Sequence, residues 1–205
     1  MQSPRIHTRG PAKLKWAIWV FLLLGSGFAS AETRWAWMVE PSFMDYKVRR
    51  KIDSSERTIL ALVRVKDGEI YAAEGGHDRV MTMAMKKINP EAAQTASSVF
   101  ASIKPQFVRD KNGVIQYAVL ESENPLTASC VLAPGFTEKF SDTLGPDLLV
   151  AFPNRNQLIV FSRQDQAFAK MSEHIISSYL GSNYPVSREI FSLEHGKLRS
   201  LGVLQ

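Results

Sequence analysis

The chain has 205 residues, 25 Lys and Arg against 20 Asp and Glu, and one cysteine, Cys130. A single cysteine excludes an intrachain disulfide framework, and the length suits one domain with a core of its own. The formal charge of +5 belongs to the N-terminus: residues 1–31 carry four of the 25 basic and none of the 20 acidic residues, leaving +1 on residues 32–205, too little for the global positive field of a non-specific nucleic-acid binder.

In chain order, Arg5, Arg9, Lys13 and Lys15 form a basic n-region, and Trp16 to Phe28 is apolar. Ala29-Ser30-Ala31 then has the small-x-small form cut by a signal peptidase. The apolar run falls short of the roughly 20 residues of a spanning helix and is interrupted by Gly25, Ser26 and Gly27. Residues 1–31 therefore read as a signal peptide cleaved after Ala31. Residues 32–205 read as a single periplasmic or secreted domain with no stable membrane span.

The lead-in carrying Trp35, Trp37 and Met38 reads as an extended segment laid across a core, or as an exposed aromatic patch. Ser42 to Ile52 is expected to be helical, with the basic run Lys47, Arg49, Arg50 and Lys51 on its solvated face. Thr58 to Val65 and Glu69 to Ala73 form a hairpin around Asp67-Gly68. His77 to Ile88 fits either period, with the alternation of Met81, Met83 and Met85 favouring a strand. Asn89 and Pro90 then have the form of an N-cap and first helical residue, predicting a helix from Pro90 to about Ile103 that buries Ala92, Ala96, Val99 and Ile103. Lys104 before Pro105 ends it.

Gln106 to Arg109 and Val114 to Leu120 pair across Asn112-Gly113. Ser129 to Leu132 reads as a strand in which Cys130 is a small buried hydrophobe, and Pro134 to Leu144 as a short helix. The clearest signal is Leu148 to Phe152 and Leu158 to Phe161, folded back through Pro153-Asn154-Arg155-Asn156. A helix with Phe168, Met171, Ile175 and Tyr179 on one stripe covers that hairpin, with Ser162 as N-cap and Gly181 as stop. Glu189 to Leu193 and Lys197 to Leu201 close the chain as a hairpin around His195-Gly196. The expected class is α+β: a mainly antiparallel sheet built from hairpins, with helices packed on one face.

Arg155 is the leading site candidate, flanked by Asn154 and Asn156, because a guanidinium on a rigid turn can hold a carboxylate or phosphate bidentately. The competing reading is a structural ion pair with a neighbouring loop. Met81, Met83 and Met85, with His77 nearby, form a soft ligand set for Cu(I) in an exported protein, although the same alternation serves a core strand. A hydrolase requires Cys130 or a serine within reach of His174 or His195. The sequence has no Gly-x-Ser-x-Gly, no HExxH and no phosphate-cradling glycine loop.

Ala128-Ser129-Cys130-Val131-Leu132, Leu148 to Asn156, and Tyr184-Pro185-Val186-Ser187 before Ile190-Phe191 give residues 103–202 a form that resembles the C-terminal part of the YtpQ-like family. These are bacterial proteins whose biochemical role is not established. The family usually has an acidic residue after the turn arginine, where this chain has Asn156, and its members are commonly cytosolic. The resemblance implies a fold and no activity. The expectation is an exported, non-catalytic binding or accessory module that meets a protein or a small anionic ligand in the cell envelope through Arg155 and needs no cofactor. A copper-binding protein and a hydrolase with a non-obvious site are the alternatives.

Overall fold

The structure, a computed structural model, describes residues 33–75, 78–164, 168–194 and 196–205. The expected signal peptide, the mature start at Glu32, His77 and His195 lie outside the described residues, as do the side chains of residues 78–81 and 170. The first half of the chain gives β1 (Arg34–Pro41), β2 (Arg49–Lys51), β3 (Thr58–Lys66), β4 (Glu69–Ala72), α1 (Asp78–Ser102), β5 (Gln106–Arg109) and β6 (Ile115–Glu121). A 3₁₀ segment, Thr127–Leu132, precedes α2 (Phe136–Leu144), β7 (Leu148–Asn154), β8 (Gln157–Ser162), α3 (Phe168–Leu180), β9 (Glu189–Glu194) and β10 (Lys197–Val203).

The expected α+β class holds. A first sheet has the order β1-β3-β2, with β4 also paired to β3, and a second has the order β10-β9-β7-β8-β6-β5. Every strand pairing in both is antiparallel. The hairpins read from the sequence are present at β3–β4, β5–β6, β7–β8 and β9–β10. In the first of these Asp67 and Gly68 both adopt positive φ, 53° and 83°, as a type I′ turn requires. The β7–β8 turn is tighter than expected, because Pro153 and Asn154 still belong to β7.

Alternation along the strands of the second sheet divides the core. Ala118, Leu120, Val150, Phe152, Leu158, Val160 and Phe191 face inward with the 3₁₀ segment, α2 and β1. Tyr117, Val119, Leu149, Ala151, Ile159, Phe161 and Ile190 face the opposite way, against Met171 and Ile175 of α3. On the first sheet, Trp37 and Leu62 pack with Ile88 and Ala92 of α1. The helices are thus divided between faces and not gathered on one as expected, since both faces of the central strands are apolar and each needs cover.

Five expectations are corrected. Ser42 to Ile52 is not a helix. Ser42 instead donates its amide to Arg57 O (2.8 Å) and its hydroxyl to Glu56 O (2.8 Å), and Arg49 to Lys51 of the basic run become β2. His77 to Ile88 is not a strand, for α1 begins at Asp78 and runs through Pro90. Asn89 is therefore no N-cap: its Oδ1 accepts from Trp37 Nε1 (3.2 Å) and Arg50 Nη2 (2.9 Å). Ser129 to Leu132 lies in the 3₁₀ segment, where burial on every side hides the periodicity that separates strand from helix. Ser162 is the last residue of β8, six positions before α3 begins, and its Oγ accepts from Gln164 N (3.3 Å).

Candidate functional site

The tip of the β7–β8 hairpin, where Arg155, Asn154 and Asn156 sit, is enclosed by other elements. Ala36, Met38 and Glu40 share the inward face of β1, so strand alternation carries a carboxylate into the core. Glu40 is fully buried, and Arg155 meets it with both arms of its fork, Nε to Oε1 at 2.5 Å and Nη2 to Oε2 at 2.6 Å. Tyr46 donates to Glu40 Oε2 (3.3 Å), and the Tyr184 ring lies 5.4 Å from the guanidinium carbon. The hydrogen bonds to Glu40 raise the pKa of Arg155 above its ordinary value. Burial, followed by the charge of Glu40, raises that of Tyr46.

The backbone of the tip is equally committed. Arg155 N donates to Tyr184 O (3.3 Å), while Arg155 O accepts from Ala128 N (3.0 Å) at the 3₁₀ segment. Asn154 Oδ1 accepts from Asn156 N (3.0 Å), and Asn156 Nδ2 donates to Ser122 O (2.9 Å). The carboxylate that Arg155 was expected to offer a place for is Glu40 of the same chain.

A second buried carboxylate escaped the sequence reading. Glu189 Oε2 accepts from Thr58 Oγ1 (2.6 Å), Ser55 Oγ (2.8 Å) and Ser187 Oγ (3.3 Å). Its Oε1 accepts from Ser200 Oγ (3.1 Å) and Glu56 N (3.3 Å). Five donors hold it with no cation among them, and they join the start of β3 to β9 and β10. The available signal was a Glu opening an apolar strand, but Thr58 and Ser55 lie 131 and 134 positions away, beyond any local pattern.

Among the described residues, Met83 with Met85 and Cys130 with His174 are not brought together; His77, His195 and the Met81 side chain lie outside the described residues. In a helix, residues two apart diverge by about 200°, so Met83 is 73 % exposed while Met85 packs beside Trp37 and Ile88. Cys130 is buried on the inward side of the second sheet, where burial pushes its thiol up to about 12. His174 lies on the opposite side, on α3, with its ring 6.0 Å from that of Tyr117 and its Nε2 3.5 Å from Gln157 Nε2. The sheet separates the thiol from this imidazole. Among the described residues, no three His, Cys, Asp or Glu side chains are gathered where they could hold a metal.

An open cavity of about 650 Å³ lies between the turn leading into α2 and the β9–β10 hairpin. Its wall includes Gly135, Phe136, Glu138, Pro146, Asp147 and Glu194. Gly135 adopts φ 79°, a left-handed turn that swings the chain from the buried 3₁₀ segment into α2. Phe136 below it is buried and packs against Phe140 in a tilted contact with ring centroids 5.0 Å apart, which fixes the turn. The carboxylates of Glu138, Asp147 and Glu194 are exposed and make no ion pair with another described residue. Sequence reasoning missed them because they are far apart in the chain and each resembles an ordinary surface acid.

Among the described residues no helix is long and apolar enough to cross a membrane. No family model matches the chain, and neither the curated proteins nor the solved structures give a match. The likeness to the YtpQ-like family rests on the motifs of the sequence itself.

Proposed function

We infer that the protein is an exported, non-catalytic binding or accessory module of the cell envelope, holding a small cationic ligand in the cavity between the α2 turn and the β9–β10 hairpin. The observation that carries this reading is the cavity: its volume falls in the range of small-molecule sites, and its acidic side chains pair with no cation among the described residues. A ligand bearing an amine or guanidinium fits that lining better than the anionic ligand expected from the hairpin tip, where Arg155 already serves Glu40. Export rests on the basic, apolar and small-x-small order of residues 1–31, and membership of the YtpQ-like family belongs to the same proposal.

Isothermal titration of the mature protein with spermidine and with arginine amide tests the reading, glutamate serving as the control. Uptake of a cationic probe that disappears in the Asp147→Asn/Glu194→Gln variant supports it. Heats equal to those of the control overturn it.

A further inference from the structure

We propose that the outer edge of β2 is a docking strand for an acidic, extended peptide segment of a partner protein. This surface is independent of the cavity. Among the described strands β2 pairs with β3 alone, in the register Arg49↔Ala61, Arg50↔Leu60 and Lys51↔Ile59. Leu62 N donates to Val48 O (2.9 Å), which sets the alternation: the backbone groups of Val48 and Arg50 face β3, and those of Arg49 and Lys51 face away from it. Neither Arg49 nor Lys51 makes an outward backbone hydrogen bond to a described residue. Among the described residues, two rungs of an antiparallel ladder are thus open. β4 lies on the same side of β3, where Ala73 N donates to Leu62 O (3.0 Å) beside the Val48 contact, so the open edge of β2 continues that of β4.

Charge selects the occupant. Arg49, Arg50 and Lys51 are all exposed, and among the described residues none is paired with a carboxylate. Arg50 lies over the Trp37 ring at 4.2 Å and donates to Asn89 of α1. Exposed Lys86 stands one helical turn before Asn89 and therefore on its side of the helix. Arg49, Arg50 and Lys51 border this edge, with Lys86 of α1 on the Asn89 side of its helix, in a domain whose overall charge is nearly balanced, and an acidic strand satisfies both the rungs and the charges. Residues 1–31 contain no Asp or Glu and four basic residues, the opposite of the charge this edge selects. Lysine and arginine on an edge also deter pairing between like copies, which favours an acidic partner over a second copy.

The test is fluorescence anisotropy of the mature protein with a labelled peptide of alternating Glu and Val. Its Lys and Val counterpart and a backbone N-methylated Glu and Val peptide serve as comparisons. Preferential binding of the unmethylated acidic peptide, weakened at least tenfold in Arg49→Glu/Lys51→Glu and by raised salt, supports the proposal. The milder Arg49→Gln/Lys51→Gln variant gives the same direction should the double reversal fail to fold. Equal binding of the N-methylated peptide would show general attraction of polyanions without strand addition and overturns the proposal. Absence of binding overturns it as well, as does a dimer in sedimentation that the two substitutions dissolve.

Discussion

Cys130 illustrates how one residue's chemistry is decided by its surroundings. Its thiol rises from an ordinary 9.0 to about 12 because burial disfavours the thiolate. Between those values the folded chain binds more protons than the unfolded chain, so stability falls as pH rises from about 9. Tyr46 and Tyr117, both raised by burial from 10.0, act in the same direction at higher pH. Urea unfolding followed upward from about pH 8 is expected to show this decline, and Cys130→Ala to flatten its first part. The native thiol should also resist alkylation at about pH 8 and react on unfolding. That Cys130 is a small buried residue was legible from its apolar neighbours. That it lies in a 3₁₀ turn was not, because five consecutive buried residues, Thr127 to Val131, carry no period.

At the scale of the element, α1 shows where local rules are overridden. Asn-Pro is a start signal, yet the helix continues through Pro90 because Ile88, Ala92 and Ala96 on one stripe are all buried, and that gain outweighs a lost hydrogen bond. Proline inside a helix costs about 3 kcal/mol, partly offset by its stiffening of the unfolded chain. Pro90 is exposed, so little packing is lost when it is replaced. Pro90→Ala is expected to raise stability by about 2 kcal/mol, measurable as a higher urea midpoint with an unchanged slope. Met81-Thr82-Met83-Ala84-Met85 could not be resolved locally, since alternation and a helical stripe fit it equally well. β2 was missed for a similar reason: three consecutive basic residues announce no strand, and only pairing with β3 makes them one.

Across the whole molecule, two buried carboxylates join the two sheets. Glu40 of β1 reaches Arg155 at the β7–β8 turn, and Glu189 of β9 gathers the hydroxyls of Ser55 and Thr58. Between them, Ser200 N donates to Asp53 O (2.8 Å), bringing the end of β10 against the segment that follows β2. Arg155→Ala would leave Glu40 charged and unpaired in the core, with an expected loss of about 3–5 kcal/mol. Arg155→Lys should also lose much of the pair, since an ammonium lacks the fork. Replacing both partners, Glu40→Leu with Arg155→Met, should recover most of the stability, because the cost lies in the orphaned charge. Chemical denaturation of the three variants checks this order.

Residues close together in the chain determined the hairpins, α3 and the α+β class, since turn chemistry and side-chain period act within a few residues. An export leader was read from the same kind of local order. Tertiary structure alone decided the partner of Arg155, the donors around Glu189, the side of the sheet on which Cys130 and His174 each lie, and the open edge at β2. Each of those depends on strands and helices separated by tens of residues coming together, and the free energy that chooses among such arrangements is shared by the whole core.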